Sequence, residues 1–541
     1  MKKILRNFFA AAVTLFAVGM VQNSYATHVQ GGDMTYISVA PGIYTVNLKI
    51  YRDCSGIVAP TTASLKISSP GCNSGRNITM TKVGNNRIGS PYCASIPVQC
   101  TATGRTNYEE VIFSSTVIFS AAEQACNNWV LTWSECCRPS SANLVGQDNP
   151  WQEAMINLAA GINNNSPQFG ALNVPVPYVN YNKPIQISLN AFESDEDSLV
   201  YTLVDPLYGN NSVIPKQSYP AAMIYNSDST KYALAPAGSY TSTFPIFSFD
   251  ADWSLPMPIT PVKKFIFDTK TGSMSFIPNL YNPTAPSNQG KDKYVLVVQI
   301  DEYRKINNSW TRVGYIRRDM MINVMDCGPN QNPNITAPVV NGQPIAETDV
   351  IHLRPGTPMN MQFATQDANA TDALIIESDV AQVLPGATLT ASTGNKPTVT
   401  VNWTPTANHV SGRTYYFHVT VQDNACPVKG YSTHTYGVRV SATGGVTSVN
   451  EISVAGNGFS VFPNPYTNDL HFKLNLKTKA ESIKIYNVLG QQIDQITLKS
   501  AQNGEQNLAW KNAGKYAAGT YVAKLVSSDK TVQTLKFTKL Q

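Results

Sequence analysis

Apolar and polar side chains alternate through most of this chain, the pattern of strands with one buried face. The clearest stretch is Ile43-Tyr44-Thr45-Val46-Asn47-Leu48-Lys49-Ile50-Tyr51, which ends at the turn-like Asp53-Cys54-Ser55-Gly56. Residues 110–113, 116–119 and 129–133 continue the pattern. Residues 151–159 read two ways. Trp151, Ala154, Met155, Leu158 and Ala159 share a helical face, whereas Ala154, Ile156 and Leu158 share a strand face, and periodicity does not choose. The first 26 residues follow another rule: Lys2, Lys3 and Arg6 precede an apolar run over 8–21 that is too short to span a bilayer. Ser24-Tyr25-Ala26 then supplies the small residues a signal peptidase requires. A signal peptide over 1–26 is predicted, cut between Ala26 and Thr27, with no later stretch long and apolar enough for a membrane helix.

Beyond a strand-rich, Cys-rich domain expected at 27–165, a second unit is predicted over 166–327. Its marks are Pro-extended segments near 166–179, a polar turn at Asp195-Glu196-Asp197, and strands at 265–277, 294–300 and 319–327. Gly328-Pro329-Asn330-Gln331-Asn332-Pro333 reads as a linker. The third unit, 335–442, repeats the order of the second. The route from 358 through Asp367 to Leu374 parallels that from Ile185 to Leu199. Residues 400–405 parallel 273–278, and 415–423 parallel the strand ending at Asp301. One sandwich used twice is the economical account, so the fold class expected is all-β, with tandem immunoglobulin- or cadherin-like β-sandwiches. Residues 443–458, rich in Ser, Gly, Val and Asn, predict a tether, and a last small β-sandwich occupies 459–541.

Composition supports strands over helices. Only 14% of the 541 residues are charged, Gly and Pro number 34 each, and Tyr reaches 26. The net charge of +5 is small for this length and not clustered, so a nucleic-acid partner is not expected. Seven of nine cysteines, Cys54, Cys72, Cys93, Cys100, Cys126, Cys136 and Cys137, fall within the first 137 residues; Cys327 and Cys426 stand apart. In an exported chain these are disulfide candidates. An odd total leaves one thiol over. Cys136 and Cys137, as strand neighbours, would point to opposite faces and take separate partners.

The final unit carries the most specific motifs: Val461-Phe462-Pro463-Asn464-Pro465, then Ile483-Lys484-Ile485-Tyr486-Asn487-Val488-Leu489-Gly490, then Ala518-Gly519-Thr520-Tyr521, and a basic terminal strand with Lys536 and Lys539. In this order they resemble the type A C-terminal sorting domain of type IX secretion in Bacteroidetes, although Leu540-Gln541 runs one step past the usual basic end. The resemblance implies a secreted or cell-surface protein at the outer-membrane exterior. It also implies recognition by the translocon, removal of the domain by a sortase-like peptidase within the tether, and attachment to lipopolysaccharide or release. The body is similar to gliding-associated or adhesin-like surface proteins of that phylum. The similarity lies in His28-Val29-Gln30-Gly31-Gly32-Asp33-Met34-Thr35-Tyr36, Tyr51-Arg52-Asp53-Cys54, Ser134-Glu135-Cys136-Cys137-Arg138 and Asp197-Ser198-Leu199-Val200-Tyr201.

No HExxH, GxSxG, P-loop or dinucleotide motif is present, and the six histidines are scattered, so no catalytic residue is proposed and an enzyme is not expected. Glu109, Glu110 and Glu135 read as strand-edge or turn residues. Asp195 and Asp197 in one repeat, and Asp367 and Asp372 in the next with Asp423 nearby, read as solvated acidic turns that call for no cofactor, or as hard oxygen ligands at corresponding turns, as in calcium-stiffened sandwiches, which makes calcium the candidate ion. Ser198 and Ser229, each after an Asp, resemble an O-glycosylation signal. The expected role is an adhesive or structural surface module with a protein or glycan ligand. The alternative is a secreted hydrolase or glycan-binding protein whose site lies in 27–165.

Overall fold

In the computed structural model, residues 28–442 and 458–539 are described, apart from 99, 101–106, 147–148, 160–161, 171, 173, 190, 210, 283–291, 463–465, 467–468, 477–479, 488–490, 499–503, 518 and 528–531. The predicted cleavage site at Ala26 and Thr27 and the tether at 443–457 lie outside the described residues. The chain forms two compact units, 1–440 and 441–541.

The N-terminal strands are β1 (Val29–Ala40), β2 (Ile43–Asp53), β3 (Thr62–Ser69), β4 (Ser74–Gly89), β5 (Tyr108–Ile118), β6 (Asn128–Ser134) and β7 (Trp151–Asn157). They run in the order β1-β2-β5-β4-β3-β6-β7, and the sheet continues through strands Ser309–Met325, Lys293–Ile306 and Ser198–Val204. One edge of Ser309–Met325 pairs with Lys293–Ile306 along its length. The other edge takes β7 at residues 314–317 and β1 at Asp319 and Met320, so the sheet closes on itself. Gly31 and Gly32 sit in that seam, where an added Cβ would fall 2.3 Å from the Asp319 carbonyl oxygen and 2.5 Å from that of Lys49.

This seam corrects the expected domain boundary at 165/166. Residues on both sides share one sheet and one core, in which Leu48, Phe113 and Trp129 pack with Ile187, Tyr201, Ile300 and Ile322. Local alternation fixes which residues face inward but not which strands pair, and here the partner of β1 is nearly 300 positions downstream. The same long-range pairing resolves residues 151–159: β7 lies between β6 and Ser309–Met325 with most of its side chains buried, and a helix could not satisfy both neighbours.

The third segment is a sandwich of a six-stranded and a four-stranded sheet. Its pairings follow the expected repeat. Met359–Gln366 pairs with Thr398–Trp403 as Ile185–Ser188 pairs with Ser273–Phe276, and Ile375–Ser378 pairs with Tyr415–Gln422 as Ser198–Val204 pairs with Lys293–Ile306. It docks on the body through polar contacts. Thr435 Oγ1 donates to Ser188 Oγ (2.8 Å), Gln186 Nε2 to Glu347 Oε1 (2.5 Å) and Arg413 Nη1 to the Glu193 carbonyl (2.9 Å).

Disulfides join Cys54 to Cys100, Cys72 to Cys126, and Cys93 to Cys426 across 333 residues, so the last braces the sandwich to the N-terminal sheet. Cys136 and Cys137 are joined to each other, which corrects the expectation of separate partners. They lie beyond the end of β6 at Ser134, where strand alternation no longer sets side-chain direction. The thiol left over is Cys327, buried and donating to Asn180 Oδ1 at 2.8 Å.

Candidate functional site

Two carboxylate clusters and the terminal unit hold the predicted functional residues. The first cluster sits on the turn before Ser198–Val204, where Glu196 takes a left-handed φ of 65° and lets Glu193, Asp195 and Asp197 converge within 4.8 Å. Glu193 joins the two predicted aspartates; two residues before Asp195, it reads in sequence as an ordinary turn acid. Its carboxylate accepts the backbone N–H of Asp195 (2.9 Å) and of Asp197 (2.6 Å). A cation is already built in. Arg304 donates from Nε to Asp197 Oδ1 (2.7 Å) and from Nη2 to Asp197 Oδ2 (2.8 Å) and Asp195 Oδ2 (3.3 Å). A calcium ion at Asp195 and Asp197 would have to displace this guanidinium.

Burial pushes Glu193 up to about 7, with the neighbouring aspartates adding to the shift and the two backbone N–H groups opposing it. Glu302, fully buried beside it, is raised well above the ordinary carboxyl range, first by burial and then by repulsion from Glu193 and Asp197. The folded state therefore binds these protons more tightly than the unfolded chain does. Their contribution is fully present below the ordinary glutamate range and is lost as pH rises through the folded values. The melting temperature is expected to fall between pH 5 and 8 from these two groups, and Glu302→Gln, which mimics the protonated form, should flatten that slope in a calorimetric pH series.

The second cluster, Asp367, Asp372 and Asp423, closes to the same 4.8 Å where strands Met359–Gln366 and Tyr415–Gln422 end. Asp423 Oδ1 accepts the N–H groups of Ala425 (3.0 Å) and Gly430 (2.9 Å), and its Oδ2 accepts Asn330 Nδ2 (3.0 Å). Asp367 Oδ1 accepts the Asn369 N–H (2.8 Å). Among the described residues no arginine pairs with this cluster, and Lys396 donates to the Asp367 backbone carbonyl. Asp367 Oδ2 and Asn330 Oδ1 are buried without a partner. Burial raises Asp367, with help from Asp372 and opposition from the Asn369 N–H, and it raises Asp423 likewise. Carboxylates and an amide oxygen left short of donors suit a hard divalent cation. Asn330 escaped the sequence reading because it lies in the linker.

Of the other predicted positions, Glu109 takes a structural role. Glu109 is pushed up by burial, but hydrogen bonds from Asn86 and Arg52 outweigh this and hold it below the usual range. Ser198 and Ser229 are exposed. In residues 28–165, His28 is the sole histidine and every described cysteine is disulfide-bonded.

The terminal unit is a sandwich of three and four strands around Phe472, Ile483, Ile485, Trp510, Tyr521 and Phe537. Gly519, at φ 155°, opens the strand Gly519–Ser527, and the Tyr521 hydroxyl donates to the Ala517 carbonyl (2.6 Å). Lys539 Nζ donates to the carbonyls of Gly514 (2.8 Å) and Tyr516 (2.5 Å), tying the last strand to the turn after Trp510. Lys536 lies on that strand opposite Val522. Pro463, Asn464, Pro465 and Gly490 lie outside the described residues.

Residues 460–539 match the family described as the secretion system C-terminal sorting domain. No curated protein matches the chain. Among solved structures, dimeric latent PorU from Porphyromonas gingivalis aligns at 11% identity over 69% of this chain and 32% of its own, with a TM-score of 0.21. The N-terminal eight Ig domains of DSCAM align at 11% identity over 92% and 47%, TM-score 0.16. A three-Ig titin fragment, I67–I69 in an E-to-A variant, aligns at 8% over 69% and 98%, TM-score 0.15. Superpositions this loose carry no functional weight. The sorting domain marks the chain as a type IX secretion substrate bound for the cell surface or the medium. Among the described residues, no helix is long and apolar enough to cross a membrane.

Proposed function

We propose that the mature body is an adhesive or structural β-sandwich module held at the outer-membrane exterior or released from it, and that the terminal unit is an address removed on arrival. The sorting-domain match carries this reading. A sortase-like peptidase would cut in the tether between the two units, and attachment to lipopolysaccharide is the anchored outcome. The body suits an unprotected extracellular life: the Cys93–Cys426 bridge ties the sandwich to the N-terminal segment, and the polar contacts at Ser188 and Glu347 tie it to the strand Ile185–Ser188.

Calcium belongs to this proposal at the second cluster, where Asp367, Asp372 and Asp423 would be joined by the Asn330 amide oxygen. The ion would offset two of the three negative charges of the converging carboxylates at the point where the 328–333 linker meets the sandwich. Binding to the native state alone raises stability by about 2.7 kcal/mol at a hundredfold excess over Kd. In calorimetry, EDTA should lower the melting temperature by about 3 °C or more, and Asp367→Asn should abolish the difference. An unchanged melting temperature would remove calcium from the reading. In the hydrolase alternative, a Cys/His pair in 28–165 lacks a free cysteine among the described residues.

A further inference from the structure

Arg318 stands on Ser309–Met325 at 1% exposure, its guanidinium 4.1 Å from the centroid of the Phe169 ring. Among the described residues, Nε and Nη1 have no hydrogen-bond partner. An arginine cannot shed its charge by deprotonating, and a buried charge without a counter-ion is strongly unfavourable. The adjacent carboxylate is committed elsewhere: Asp319 is held by both terminal nitrogens of Arg138 at 2.6 Å. Asp33 turns its Oδ2 to the Tyr51 hydroxyl (2.7 Å), and among the described residues no carboxylate forms an ion pair with Arg318.

The same guanidinium lines a cavity of about 330 Å³, bounded also by Lys49, Arg87, Glu110, Tyr108 and Phe169. Three cations against one carboxylate leave the cavity positive, and Glu110 already faces Arg87 across the β4–β5 ladder. The volume lies at the low end of small-molecule sites, about 300–1,000 Å³, which suits one ring better than an extended chain. Tyr108 adds an aromatic wall, a usual surface for the apolar face of a sugar. We propose that this cavity binds the carboxylate-bearing ring of an acidic polysaccharide, a uronate, with its carboxylate on Arg318 and its approach steered by Lys49 and Arg87. The choice of an extracellular polysaccharide rests on the surface-module reading above.

Isothermal titration of the purified mature chain with mono-, di- and trigalacturonate tests this, with glucose oligomers and a glutamate peptide as rivals. Uronates should bind while neutral sugars do not, and binding should weaken with added salt. Arg318→Gln should cost about tenfold or more in affinity. Since a buried substitution can also impair folding, Arg87→Gln and Lys49→Gln on the cavity wall are the controls, each expected to weaken binding about threefold. Uronates binding no better than glucose oligomers would overturn the proposal. So would tighter binding of the peptide, or uronate affinity unmoved by both wall variants. Failure here would leave surface display of the chain intact, so it is distinguishable from failure of the export reading.

Discussion

A chain lacking residues 459–541 is expected to fold and to accumulate in the periplasm, with its surface signal lost. The body, residues 1–440, is a compact unit with its own cores, and its disulfides and buried ion pairs among the described residues join residues within it. Removing the last 83 residues therefore deletes an address and leaves the delivered structure whole. Fractionation and protease shaving of intact cells would measure the outcome, with melting temperature of the truncated protein as the folding control. Normal display of a well-folded truncation would refute the sorting role. A milder lesion sharpens the test. Lys539→Ala removes the donor that ties the last strand to the carbonyls of Gly514 and Tyr516 while leaving Phe537 in the core, so display should fall with the domain still present.

Arg138→Met should be the most destabilising single substitution in the body. Arg138 and Asp319 are 2% and 1% exposed at their side chains and meet in a two-point pair. Asp319 also sits where β1 crosses onto Ser309–Met325, so the pair locks the seam of the closed sheet. Breaking a buried pair from one side leaves an uncompensated charge, at a cost of about 3–5 kcal/mol. Denaturant titration would read this as a lower midpoint. The double variant Arg138→Met with Asp319→Leu should recover most of the loss, because it removes both charges together. If the double variant is no better than the single, the lost packing around Arg138 rather than the stranded charge sets the stability.

The two carboxylate clusters show where sequence reading stopped. Spacing placed Asp195 with Asp197 and Asp367 with Asp372, because each pair lies on one turn of a repeated unit. It gave equal weight to both, and the structure separates them. Arg304, more than a hundred residues beyond Asp197, fills the first cluster, whereas the second gathers Asn330 from the linker and keeps unpartnered oxygens. No local pattern announces a counter-ion that arrives from a different strand. The cysteines teach the same lesson. Their number and exported context predict disulfides and one spare thiol, but the partner of Cys93 is the distant Cys426, and Cys136 takes its own neighbour.

What the sequence by itself determined is whatever depends on near neighbours. That includes the strand character of the chain, from period-two alternation and turn residues, and the sorting domain, whose motifs are read as a short ordered string. It also includes the repeat, whose strands pair alike in both copies. Tertiary structure alone decided the closure of β1 and β7 onto one distant strand, the merging of 27–165 with 166–327, and the isolation of Arg318 in its cavity. Each of these turns on which edge or charge meets which across hundreds of residues. A strand's side chains encode its buried face, while its backbone edge pairs with any partner that the rest of the fold brings into register.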